Sequence, residues 1–181
     1  MLIDASLAFV PMAAPLSLVL GAGVSLATAP LDLLGQGVGN APGSIIGTRA
    51  LFGTDLGIGK EKALLICAIG TAFATSNSAT LNVQFQGAVD TGAAGSYQPG
   101  AWNTFIETGT ISATNLAAGK IIARFDFPPA FPVNVLPRYL RLNFLIPSGT
   151  NFTAGTIAYA YPTMARDDWS AGFAAKNFAV A

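Results

Sequence analysis

Arg138-Tyr139-Leu140-Arg141-Leu142-Asn143-Phe144-Leu145-Ile146 is the stretch on which the fold turns. Leu140, Leu142, Phe144 and Ile146 fall on one side of an extended chain, and Tyr139, Arg141, Asn143 and Leu145 on the other. A period of two with aliphatic and aromatic residues is the pattern of a strand with one buried face. Pro137 opens it and Pro147-Ser148-Gly149 stops it. Ala79-Thr80-Leu81-Asn82-Val83-Gln84-Phe85-Gln86 repeats the pattern, with Leu81, Val83 and Phe85 opposite Thr80, Asn82, Gln84 and Gln86. The two segments predict burial of Leu81, Val83, Phe85, Leu140, Leu142 and Phe144.

Further strands follow from the same reading. Ala63–Ile69 is an apolar run, and Trp102–Ile106 alternates its large residues. Lys120–Phe127 places Ile121, Ala123, Phe125 and Phe127 on one face, opposite Ile122, Arg124 and Asp126. Gly155–Tyr161 aligns Ile157, Tyr159 and Tyr161. Ser112–Leu116 reads as a turn or a single helical turn. Short strands separated by turn signals, without long amphipathic helices between them, predict an all-β antiparallel sandwich or barrel.

The boundaries come from Gly and Pro. Residues 1–59 carry Pro11, Pro15, Pro30 and a run of glycines from Gly35 to Gly59, which predicts an extended arm with loops. The alternative is that this region supplies edge strands to the β domain of residues 60–162. Residues 163–181 form a short tail. Ala5 to Leu31 is uncharged, but its prolines and paired glycines argue against a membrane helix, and the start of the chain lacks a basic signal region.

Composition limits the function. The chain has 181 residues, 52% of them hydrophobic and only 10% charged, with a formal net charge of +0. Ordinary globular chains carry about 25% charged residues. So little charge gives weak protection against self-association and predicts surface buried in an assembly. Neutrality and the lack of a basic cluster argue against nucleic-acid binding. With no histidine and one cysteine, Cys67, histidine-based triads and zinc clusters are excluded. Gly53–Lys60 has Thr54 and Glu61 where a phosphate loop needs Gly and Ser or Thr. Asp167-Asp168 stands without a second acidic cluster, and Asn151-Phe152-Thr153 matches the glycosylation pattern alone. No cofactor, metal site or enzymatic activity is predicted.

What remains is interaction surface. Apolar residues in the Gly- and Pro-rich region, Leu16, Leu18, Leu31, Leu33, Leu34 and Phe52, need a neighbour to cover them, as do Trp169, Phe173 and Phe178 in the tail. Arg138 and Arg141 can each reach a carboxylate on an adjacent strand or subunit.

Ser78–Gln86, Trp102-Asn103-Thr104-Phe105, Thr108-Gly109-Thr110-Ile111, Leu116-Ala117-Ala118-Gly119, Arg138–Phe144 and Phe152–Ile157, in this order and spacing, resemble the capsid cement (decoration) proteins of tailed bacteriophages, the Bordetella-phage cement family. The resemblance covers roughly residues 60–161. It implies a jelly-roll fold and a non-enzymatic virion protein on the outer capsid surface, bridging adjacent major capsid protein subunits. It also implies a homo-oligomer, a dimer ahead of a trimer, made in the host cytoplasm. The alternatives are another minor virion β protein (fibre, spike or head component) and a carbohydrate-binding jelly-roll module stacking sugars on Trp102, Tyr139, Tyr159 and Tyr161.

Overall fold

A computed structural model of the chain describes residues 7–21, 23–33, 44–46, 49–51, 63–93, 96–127, 136–147 and 151–164. Its strands are β1 (Leu16–Ser17), β2 (Ser25–Ala27), β3 (Leu31–Asp32), β4 (Ser44–Ile46), β5 (Arg49–Leu51), β6 (Ala63–Ile69) and β7 (Ala74–Thr75), followed by β8 (Thr80–Asp90), β9 (Pro99–Glu107), β10 (Ile111–Ser112), β11 (Ile121–Phe127), β12 (Tyr139–Leu145), β13 (Phe152–Ala154) and β14 (Thr156–Met164). Ala113–Asn115 is a single 3₁₀ turn, and no α-helix occurs among the described residues. The described residues are all-β and antiparallel: two main sheets form a sandwich, and β7 with β13 and β4 with β5 form two further two-stranded sheets.

One sheet has four strands in the order β1-β14-β6-β11. The other has six: β8 and β12 pair at its centre, β9 and β10 lie along the far side of β8, and β2 and β3 along the far side of β12. The chain crosses repeatedly from one sheet to the other, in a jelly-roll-like manner. The central register pairs Leu142 with Phe85 and Phe144 with Val83. Leu81, Val83, Phe85, Leu140, Leu142 and Phe144 are all fully buried, as the alternation predicts. Across the sandwich Phe125 stacks with Phe85 at 6.5 Å between ring centroids, and Phe127 lies 5.9 Å from Phe85.

Parts of residues 7–21 and 23–33 belong to this core. Val10 forms a bridge to Ala160, and the Phe9 ring packs edge-on to Phe85 at 5.8 Å. Leu16 pairs with Ile157, and the Leu18 amide donates to the Gly155 carbonyl. β2 and β3 extend the edge of β12. Leu7, Phe9, Val10, Leu18 and Leu31 are therefore covered by the chain's own sheets, while Met12, Val19 and Val24 stay exposed.

Three faces differ from simple alternation, each at a bulge. A register shift between Ile121 and Ala123 turns Ile122 towards the main core, and Ile121 packs outside with Ile66 and Tyr161. A shift between Ile157 and Tyr159 leaves Ile157 and Ala160 in the core but sends Tyr159 and Tyr161 to the outer side. On β9, the irregularity opposite Phe85 and Gln86 sets Phe105 against Gly87, and Trp102 lies beside Arg141. One inserted residue reverses the side of everything after it. Gly87 leaves room for that Phe105 ring: an added Cβ would sit 2.3 Å from it.

Candidate interaction surface

Arg138 and Arg141 lie on or beside β12 and meet different surroundings. Arg138 is only 8% exposed and Asp32 1%. The Arg138 Nε and Nη2 donate to Asp32 Oδ1 and Oδ2, each at 2.9 Å, and Nη1 donates to Asp90 Oδ2. Tyr97 caps the guanidinium at 4.2 Å from its ring centroid, and Tyr139 lies at 5.2 Å. Burial disfavours the charged guanidinium, but the hydrogen bonds and charges of Asp32 and Asp90 outweigh it and raise the Arg138 pKa. Asp90 also accepts the Gly92 and Gln98 amides; these bonds and Arg138 overcome partial burial and hold its carboxyl below the usual range. The cluster ties β3, β8, the 90–99 turn and β12 together. It is a structural clamp: the fork of Arg138 is fully engaged.

Further along, the outer face of the six-stranded sheet carries a ladder of amides. Asn82 and Gln84 donate to Glu107 Oε2 at 2.9 and 3.0 Å, which holds the Glu107 carboxyl below its usual range despite some burial. Asn143 donates to Gln84 Oε1, and Gln86 Nε2 donates to Gln84 Oε1 and Thr104 Oγ1. Arg141 Nε donates to Gln86 Oε1 at 2.9 Å, and its guanidinium lies 4.0 Å from the Trp102 ring centroid. These cross-strand bonds brace β9, β8 and β12 side by side.

The other predicted interface residues fall as follows. Leu18 and Leu31 are buried in the core, with Leu16 and Leu33 partly buried against it, so all four face inward. Leu34, Phe52, Trp169, Phe173 and Phe178 lie outside the described residues, as does Asp167-Asp168. Of the aromatics proposed for sugar stacking, Tyr139 and Tyr161 are buried, and Tyr159 stacks on Tyr161 at 5.0 Å. Burial, reinforced by Tyr159, pushes the Tyr161 hydroxyl up to about 12. Cys67 is fully buried and its thiol is pushed well above the ordinary range by burial, which makes it inert. Among the described residues no His, Cys, Asp or Glu group could hold a metal ion, and no helix is long and apolar enough to cross a membrane.

Asp32, Asp90, Tyr97 and Glu107 were not singled out by sequence reasoning. Asp32 did carry a signal: a lone acid in Leu31-Asp32-Leu33-Leu34 needs a cationic partner if its neighbours are buried. No protein-family model matches the sequence, and no curated protein matches it either.

Proposed function

We propose that the chain is a structural virion protein that binds the outer surface of a bacteriophage capsid, bridging adjacent major capsid protein subunits and stabilising the head. The observation that carries this reading is how the chemistry-bearing side chains are used. Arg138, Asp32 and Asp90 knit strands together, the amide ladder braces β8, β9 and β12, and Cys67 sits in the core. Asn82, Gln86 and Asn143 are themselves buried, and what this braced sheet leaves accessible is Thr104 and Glu107 with the half-buried Gln84, Trp102 and Arg141, a polar patch suited to contact with another protein. A chain with 10% charged residues gains from such a contact, because the surface it buries is weakly hydrated. The resemblance of residues 60–161 to the cement proteins points the same way, and it carries the expectation of a homo-oligomer, with a dimer ahead of a trimer.

The reading implies no catalysis: the protein acts by adding contacts between subunits that already touch. Binding that favours the assembled shell over its free subunits raises the shell's stability by mass action. Purified protein mixed with shells of the major capsid protein should cosediment with them at a fixed stoichiometry. It should also raise their disruption temperature. Shells that neither retain the protein nor gain heat resistance would refute the proposal.

A further inference from the structure

Arg141 is a partly buried cation whose bonding is incomplete. Its Nε is fixed by Gln86, while Nη1 and Nη2 have no hydrogen-bond partner and no carboxylate among the described residues. Burial alone lowers its pKa, with no negative charge to offset it. The indole N–H of Trp102, against which it stacks, is likewise without a partner among the described residues. The neighbouring acceptors are already engaged: Gln86 Oε1 takes Arg141, and Gln84 Oε1 takes Asn143 and Gln86. Glu107 is bonded to Asn82 and Gln84 and makes no ion pair with Arg141. The spot is donor-rich and positive on a chain that is neutral as a whole.

It is also held in place. The Gln86 bond and the Trp102 ring fix the guanidinium plane, leaving the Nη1/Nη2 edge as a two-pronged donor. That edge matches a carboxylate, and little side-chain freedom remains to be lost on binding. Arg138, with a similar fork filled by Asp32, shows the filled state in the same molecule.

We propose that Arg141, positioned by Gln86 and Trp102, anchors a protein–protein contact on the outer face of β8, β9 and β12 by receiving a carboxylate side chain of the partner. Several features favour a protein as the source of that carboxylate. Arg and Trp are the side chains most often found at the energetic centre of protein interfaces. β9 has β8 on one side and no strand on the other among the described residues. An open strand edge on β9, the strand that carries Trp102, suits a polypeptide. A nucleic acid would need several cations along a track, and among the described residues this face offers Arg141 alone. The inference deepens the capsid reading and rests on it for the partner: an acidic residue displayed by the shell protein.

Two arms test it. In the first, wild type, Arg141→Gln, Arg141→Lys and the exposed-site control Lys120→Gln are titrated onto shells of the major capsid protein, after their β spectra have been shown to coincide. Arg141→Gln is expected to bind roughly tenfold or more weakly, Arg141→Lys between the two, and Lys120→Gln as wild type. Equal binding by wild type and Arg141→Gln overturns the inference and leaves the capsid reading standing. Failure of wild type to bind overturns the capsid reading, and the second arm then decides the inference. There, the peptide acetyl-Gly-Glu-Glu-Gly-amide is titrated while the Trp102 indole and Arg141 Nε–H resonances are followed, with its Gln analogue as control. Shifts with the Glu peptide alone, lost in Arg141→Gln, support the site. No shift, or a shift with glucuronate but not with the peptide, overturns a protein carboxylate as the occupant.

Discussion

Arg138 and Arg141 are separated by only two residues, yet they stand in opposite electrostatic conditions. Around Arg138 two carboxylates and two aromatic rings close over the guanidinium, and every prong of the fork is used. Around Arg141 one amide and one indole hold the group, and two prongs have no partner among the described residues. The difference teaches where structure ends and function starts on this sheet. A satisfied buried cation fixes strand positions, whereas a positioned cation with open donors is prepared for something outside the chain.

The largest effect should follow from emptying the clamp. Arg138→Ala takes from the buried Asp32 the guanidinium that engages both its carboxylate oxygens, and breaking such a buried pair costs about 3–5 kcal/mol. Denaturant unfolding should show it, with recovery when Asp32 is also replaced by an apolar residue. A loss as small as that of an ordinary surface arginine would break the comparison at its first term. On the inner face, next after Arg141, Leu142→Ala should cost about 2–5 kcal/mol through the cavity it leaves. A negligible loss there would mean the faces of β12 are wrongly assigned.

Acid sharpens the same contrast. The Asp90 carboxyl has a folded pKa below its unfolded value, so its contribution is complete above about pH 4. It fades as the pH falls through the lower, folded value. Glu107 follows the same sign. Stability measured from pH 6 downwards should therefore fall below about pH 4, and less steeply in Asp90→Asn. An identical acid profile for the variant would remove Asp90 from the clamp. The smallest effect on stability belongs to Arg141→Gln, within about 1 kcal/mol, because no ion pair is lost. A larger loss would make Arg141 part of the framework rather than a contact.

Much of this was legible in the residues. Leu81, Val83 and Phe85 and their partners Leu140, Leu142 and Phe144 stand in uninterrupted alternation, and a single buried face fixes their register. The bulges were not legible. Nothing in Lys120–Phe127 or Gly155–Tyr161 marks the extra residue that moves Ile121, Tyr159 and Tyr161 to the outer side. Edge strands from the region before residue 60 could be read only as an alternative to an extended arm, because strands as short as Leu16–Ser17 and Leu31–Asp32 carry no periodicity. Arg138 and Arg141 could be named in advance as carboxylate seekers. Which of them had found its carboxylate depended on Asp32 and Asp90, far away in sequence and brought together only by the pairing of β3, β8 and β12.

The measurement that tests the account most directly is a density map of the intact virion in which this chain can be traced. The account predicts the sandwich at regularly repeated positions on the outer capsid surface, over junctions between major capsid protein subunits, with the outer face of β8, β9 and β12 against the shell and a carboxylate at Arg141. Density confined to the vertices or the tail, or no density for the chain on the head, would contradict it.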